Sequence, residues 1–255
     1  ERLAALGEAY SWALSNSNQL HFAVAAAATA AELWQQDGDD TRLIRALVTL
    51  SRQQWLTERT AAARASAERA FELARPLGDS YQNALATLNL GGLLVVIDRE
   101  ADGLPYLDEA LGIAERCGAA SVAALCRNYR GSARLQLGDL RGCEDLLASM
   151  AQAAELDNHE YVMRAYYNLI EGLWRLGEYR EALGYLEQAE SFGRDRDFRV
   201  HGYMFAARRA RLALMRGQWA QAEAALRDLL DGQDDPGMIG RETVPMLARV
   251  LVRQG

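Results

Sequence analysis

Lysine is missing altogether: every one of the 28 basic residues is an arginine. Any anion recognised by this chain is therefore met by planar, bidentate guanidinium groups and not by ammonium point charges. Proline is held to four residues, and the two-residue alternation of a strand is absent, which leaves an all-α reading. The three cysteines, Cys117, Cys126 and Cys143, form no CxxC pair and no metal-ligand spacing. An odd number of them, with no signal-peptide pattern, points to reduced thiols and a cytoplasmic location. No apolar run reaches the ~18 residues of a membrane span; the longest, Ala23 to Glu32, is mostly alanine and reads as a buried helix. Acidic residues number 35, so the net charge is −7, and the chain as a whole is not built to hold a phosphate backbone.

Catalytic and metal-binding signatures are equally scarce. GxSxG, GxGxxG and P-loop patterns do not occur, and Leu90-Gly91-Gly92-Leu93 lies inside a helical pattern. His21, His159 and His201 are far apart, with no HExxH or i,i+4 pair. The acidic clusters at 37–40, 194–197 and 234–235 lack the alternating ligands and distal glutamate of a calcium loop, and they sit where loops and helix caps belong. No catalytic residue, cofactor or metal is expected. Cys143 reads as a packing residue, and so do Cys117 and Cys126, nine residues apart across an interhelical turn.

What the sequence does contain is a turn that returns about every forty residues. Its clearest copies are Leu137-Gly138-Asp139-Leu140, Leu176-Gly177-Glu178-Tyr179 and Arg216-Gly217-Gln218-Trp219. Counting back by forty from Gly138 lands on Asp98, Glu58 and Asn18, each in a similar turn. A repeat of this length between helical patterns is the mark of a stacked array, whose core grows with each added unit. Small residues recur in the second helix of each unit: Ala23, Ala63, Gly103, Cys143, Ala182 and Ala222 at one position, and Ala30, Ala70, Ala110, Met150, Ala189 and Leu229 seven residues on. Such residues let helix axes approach to ~8 Å, with Leu107, Leu147, Leu186 and Leu226 filling a larger slot between them. Leu140, Tyr179 and Trp219 are expected to staple each turn to its hairpin.

Asp40-Thr41, Asp79-Ser80, Ser121, Asp157-Asn158 and Thr243 offer N-cap chemistry, and Pro76, Gly118, Gly193 and Pro236-Gly237 mark helix ends. Pro105 is placed in the first turn of its helix, where proline is tolerated. The chain thus divides into six hairpins, near 3–36, 40–75, 79–117, 119–155, 158–193 and 197–231. A seventh first helix, near 243–254, has no partner. Its apolar residues Met246, Leu247, Val250 and Leu251 are expected to lack a cover on one side, so residues 1–255 read as one domain of a longer multidomain protein.

The pattern L-G-x(6)-G-[DE]-[YLW]-x-x-A, best matched at 163–193 through Tyr166, Leu169, Gly177, Tyr179, Ala182 and Ala189, resembles the tetratricopeptide repeat. The period exceeds the usual 34 residues by about six, which lengthens both helices of each unit. Long units of this kind, with stretches such as 134–141 and 244–255, are similar to the sensor region of large ATP-binding LuxR-family transcriptional regulators. That resemblance implies a right-handed α-solenoid of stacked antiparallel hairpins, flanked in the same chain by ATPase and DNA-binding domains.

In tetratricopeptide-like arrays the first helices line a concave groove. Carried over residue by residue, the groove would present Glu8, Trp12, Arg45, Arg52, Trp55, Asn128, Arg164, Tyr167, Glu171, Trp174 and Arg211. Arginines beside aromatics suit an acidic peptide terminus, a phosphate or a planar ligand. The same residues also fit a plainer reading, with Trp and Tyr as core staples and the arginines as a solvated face. The implied function is non-catalytic: a sensor module that binds a protein, peptide or small-molecule effector, with no direct contact to nucleic acid or membrane. A stand-alone peptide-binding adaptor or quorum-type receptor is the alternative.

Overall fold

Nine of the helix ends are followed by a residue that turns left-handed. In the computed structural model, which describes residues 2–16, 19–194, 199–231 and 237–254, positive φ occurs at Glu58, Asp98, Gly138, Gly177 and Gly217, and again at Gly38, Gly78, Gly118 and Asp157. The first series is the turn read from the sequence; the second closes the step from one hairpin to the next. Asn18 lies outside the described residues. At seven of these turns the amide after the left-handed residue reaches back to a carbonyl five residues earlier, as in Arg59 N–H to Gln54 O (2.8 Å), Asp139 N–H to Arg134 O (2.8 Å) and Asn158 N–H to Ala153 O (2.9 Å). This is the Schellman closure, which satisfies carbonyls left open at a helix end.

Thirteen α-helices result, with no strand among the described residues. The chain separates into two units, 1–176 and 177–255. The first contains α1 (Arg2–Asn16), α2 (Leu20–Asp37), α3 (Asp40–Leu56), α4 (Thr60–Ala74), α5 (Tyr81–Val96), α6 (Glu100–Arg116), α7 (Ala120–Gln136), α8 (Arg141–Glu155) and α9 (His159–Arg175). Helices α1/α2, α3/α4, α5/α6 and α7/α8 pack as hairpins, and α1, α3, α5, α7 and α9 also touch in sequence along one side. These first helices form the inner layer of the unit. The second unit contains α10 (Tyr179–Arg194), α11 (Arg199–Met215), α12 (Trp219–Leu230) and α13 (Gly237–Gln254). There α13 covers the α11/α12 pair through Met246 and Val250 and leaves Val244 and Val252 in solvent. The chain is thus all-α, of the tetratricopeptide-like solenoid class.

Several sequence expectations need correction. Helix α8 is out of step by one: Gly142, Leu146 and Ser149 are buried, whereas Cys143 and Met150 are half-buried and Leu147 is exposed. The cause is local. Gly142 N–H bonds Asp139 O and Cys143 N–H bonds Leu140 O, both spanning three residues, where Ala63, Gly103, Ala182 and Ala222 bond four residues back. The first turn of α8 is wound as a 3₁₀ turn, so the helix face arrives one residue early. Leu140 and Tyr179 keep 60% and 46% of their surface, so neither is buried against its turn.

Asp39, Ser80 and Asn158 cap α3, α5 and α9 with their side chains, but Ser121 lies inside α7. Thr243 is buried within α13, which begins at Gly237 and is held to α11 by a buried Arg208–Glu242 pair. Pro105 falls in the second turn of α6, which begins at Glu100.

Within the hairpins the backbones meet at glycine. A Cβ on Gly142 would stand 2.4 Å from Gly131 O, and one on Gly103 2.7 Å from Gly91 O. By contrast a Cβ on Gly184, inside α10, would meet nothing within 4 Å. Gly142→Ala is therefore expected to lower stability by about 1–3 kcal/mol through overpacking. Gly184→Ala is expected to raise it by roughly 0.5–1 kcal/mol by restricting the unfolded chain. Asp98→Gly, at a left-handed residue, is also expected to stabilise. Thermal and urea unfolding of the three variants checks all of these.

Candidate functional site

The inner layer of the first unit gathers charge and aromatic rings from four helices. Arg164, near the middle of α9, is the organising side chain. Its Nη2 donates to Glu160 Oε1 one turn earlier at 2.6 Å, and its Nη1 donates to Tyr129 Oη on α7 at 3.3 Å. Its guanidinium also lies 5.6 Å from the Tyr161 ring centre. Fixed by an acid, a phenol and a ring face, it keeps only 16% of its side-chain surface. Its partners hold its pKa above the ordinary arginine value against the opposing effect of burial. Tyr161 is pushed up in turn, mainly by burial.

Tyr129 can lie where it does because α5 offers no side chain beneath it. A Cβ on Gly92 would come within 3.1–3.3 Å of the Tyr129 ring atoms. In the repeat, Gly92 stands six residues before Asp98, the position that Arg52 holds before Glu58. One unit's arginine is thus replaced by a gap that a tyrosine from the next helix fills.

Arg52, on α3, completes the cluster. Its pKa is lowered, first by the positive charge of Arg164 and then by burial, with Tyr129, Glu160 and Tyr161 acting the other way. Tyr129 of α7 and Arg164 of α9 are thus joined by a hydrogen bond, and the charge of Arg164 is felt by Arg52 of α3. Arg52 still exposes its side chain to solvent, the combination expected of a groove wall that protein surrounds but does not cover. It has no hydrogen bond or ion pair among the described residues. Tyr81, at the start of α5, is 43% exposed and lies near enough to act on Tyr161.

The other sequence candidates fall into three groups. Trp12 on α1 is 69% exposed, and Arg45 on α3 is paired with Glu8 at 3.7 Å, whose Oε1 also accepts from Trp34 Nε1 at 2.6 Å. Tyr167 and Glu171 on α9 are half-buried, Glu171 lying 3.9 Å from Arg175. Asn128 and Trp174 are inside: they keep 1% and 4% of their surface, and Asn128 Oδ1 accepts from Asn168 Nδ2 at 2.7 Å, joining α7 to α9. Trp55 packs beside the cluster of Ala63, Ala67, Leu90, Leu93 and Leu94. Asn128 and Trp174 thus face the interior of the unit, and Trp55 is half-buried at its edge. Arg211, half-buried on α11, belongs to the second unit.

Sequence reasoning missed Glu160, Tyr81, Tyr129 and Tyr161. The repeat held only a loose signal for two of them: Tyr81 lies three residues after the left-handed Gly78 and Tyr161 four after Asp157. Tyr129 had none, since its placement depends on the absence of a side chain at Gly92.

No protein-family model matches the sequence, and no curated protein does so. Solved structures do match in fold. A Rap protein complexed with Competence and Sporulation Factor superposes with TM-score 0.72 at 14% identity, over 98% of this chain and 76% of that one. The Rap conjugation gene regulator of plasmid pLS20, in complex with the Phr* peptide, gives 0.60 at 13% identity over 96% and 71%. A signal transduction ATPase with numerous domains and a tetratricopeptide repeat sensor, from Pyrococcus horikoshii, gives 0.57 at 15% identity over 98% of this chain and 38% of its own. These likenesses establish the tetratricopeptide-like fold.

Among the described residues no group of His, Cys, Asp or Glu could hold a metal ion, and no helix is long and apolar enough to cross a membrane. None of the three cysteines is in a disulfide. Cys126, wholly buried on α7, has its thiol pushed up to about 12 by burial, which leaves it neutral and non-nucleophilic at pH 7. Unfolded, it ionises near 9, so its contribution to stability is complete below pH 9 and is lost as pH rises toward 12. Unfolding free energy is expected to fall across that window, and less steeply in Cys126→Ala. Equal slopes for the two proteins in denaturant titrations at stepped pH would refute the assignment.

Proposed function

We propose that this chain is a non-catalytic recognition module whose first helices bind an effector, a short peptide in the first instance, along the inner face of residues 1–176. The observation that carries the reading is the meeting of Arg164, Tyr129 and Tyr161 from α7 and α9 on that face, with Arg52 of α3 within the reach of the Arg164 charge. Hydrogen-bonding and aromatic groups converging from separate rigid helices are what a ligand site requires and what a core does not. The complex of the pLS20 Rap regulator with the Phr* peptide, which shares the fold, supports a peptide as the ligand.

As its setting we propose the sensor region of a LuxR-type regulator, with effector binding passed to flanking ATPase and DNA-binding domains through small changes of pitch between hairpins. The ATPase with a tetratricopeptide repeat sensor offers a parallel arrangement. A stand-alone peptide adaptor is the second reading, supported by the Rap complexes alone.

Hydrogen exchange with and without a pool of random pentapeptides tests the site. Added protection is expected on α3, α5, α7 and α9. Protection confined to α2, α4, α6 and α8 would place binding on the outer layer and refute the reading. For the setting, a P-loop segment and a helix-turn-helix are expected in the same open reading frame; an open reading frame without either favours the adaptor.

A further inference from the structure

Helix α1 turns toward solvent a face that the next first helices hide. Leu3, Leu6 and Tyr10 keep 72%, 64% and 58% of their surface, and Arg2 is the only charged residue exposed on the helix. On α3 the exposed residues are Asp40, Thr41, Arg42, Arg45 and Arg52, none of them apolar. Leu3, Leu6, Tyr10 and Ala13 follow one another at spacings of three and four, which makes them one stripe. Forty residues on, the same stripe is Leu43, Ala46, Leu50 and Gln53 of α3; forty further, it is Asn83, Ala86, Leu90 and Leu93 of α5. All eight of these are buried, where α2 lies antiparallel on α3 and α4 on α5. The stripe is thus the bed of an antiparallel helix. The outer face of a terminal repeat is ordinarily polar, yet α1 keeps the bed apolar.

We infer that this stripe is the seat of a second copy of the chain, the two α1 helices packing antiparallel about a two-fold axis at the level of Glu8. The spacing of the stripe and its charge select that occupant. In an antiparallel pair Leu3 of one protomer faces the partner's Ala13, and Leu6 faces the partner's Tyr10. The larger residue at each end thus meets the smaller, along a seam with the three-four spacing of a two-stranded coil. Arg2 stands at the N-terminal end of α1, and the same pairing brings it to the C-terminal end of the partner helix, whose open carbonyls favour a cation. The one acid of α1, Glu8, is engaged elsewhere, accepting from Trp34 Nε1 at 2.6 Å and lying 3.7 Å from Arg45. No carboxylate therefore enters the seam. The pairing is independent of the recognition reading, and either can fail alone.

Sedimentation equilibrium and native mass spectrometry of the chain at micromolar concentrations test the pairing, with a dimer expected. Leu6→Glu and Tyr10→Glu each place a charge in the seam and should raise the dissociation constant at least about tenfold. Both side chains are exposed within one protomer, so helical content should stay as in the parent. Ala5→Glu, exposed on the same helix but off the stripe, should leave the dimer intact. In a Cys117→Ala, Cys143→Ala background, Leu3→Cys chains should cross-link to Ala13→Cys chains and not to one another. A monomer at every concentration, or a dimer that Leu6→Glu and Tyr10→Glu leave unchanged, overturns a second copy as the occupant. Cross-linking among Leu3→Cys chains alone overturns the antiparallel arrangement.

Discussion

The Schellman closure repeated at the helix ends governs where every later helix can lie. A single left-handed residue reverses the chain, and one backbone bond reaching back five residues fixes the reversal, from Asp39 N–H to Trp34 O through Gln218 N–H to Ala213 O. Because the turns are closed by the backbone, their side chains are free to vary: glycine serves at Gly138, Gly177 and Gly217, aspartate at Asp98 and glutamate at Glu58. The hairpins then need only small residues where backbones meet, met most tightly by Gly131 against Gly142 and by Gly91 against Gly103. Helix ends set the direction, and glycine contacts set the distance.

On that frame the inner layer of the first unit is electrostatically uneven. Elsewhere charges are paired locally: Asp145 sits between Arg130 and Arg134 at 2.5 and 2.6 Å, and Arg130 also reaches Asp108 at 3.0 Å, tying α6, α7 and α8 together. Burying a charge is costly unless it is paired and hydrogen-bonded, and this network meets that requirement. Around Arg164 the pairing is partial: Glu160 and Tyr129 hold it, while its charge acts on Arg52, which has no ion pair among the described residues.

Much of the fold could be read from the residues, since a turn residue, a small residue and a leucine recurring at fixed offsets reflect one packing solution used again and again. The error at α8 came from assuming a constant path from turn to helix. Gly142, Leu146 and Ser149 are the buried set because a 3₁₀ turn absorbs one residue, and such a turn has no composition of its own. Arg52 and Arg164 were legible as members of a face; that the charge of one acts on the other was not, because α3 and α9 are related only through the stacking of the helices between them. Asn128 and Trp174 show the converse limit. Polar and aromatic residues on a first helix serve the groove or the core depending on a rotation that helical periodicity leaves uncertain by about one residue.

The overwound start of α8 also bears on how such a chain can change length. From Gly138 to Asp157 the distance between left-handed residues is 19, against 20 from Glu58 to Gly78 and from Asp98 to Gly118. A deletion inside a helix rotates everything downstream by about 100° and scrambles the buried face. Here a missing residue is absorbed within one turn, and the next hairpin resumes in phase. Helix starts of this kind are buffers against frameshift in three dimensions: the array can shed single residues at its seams while its interior accepts only whole-unit duplication or loss.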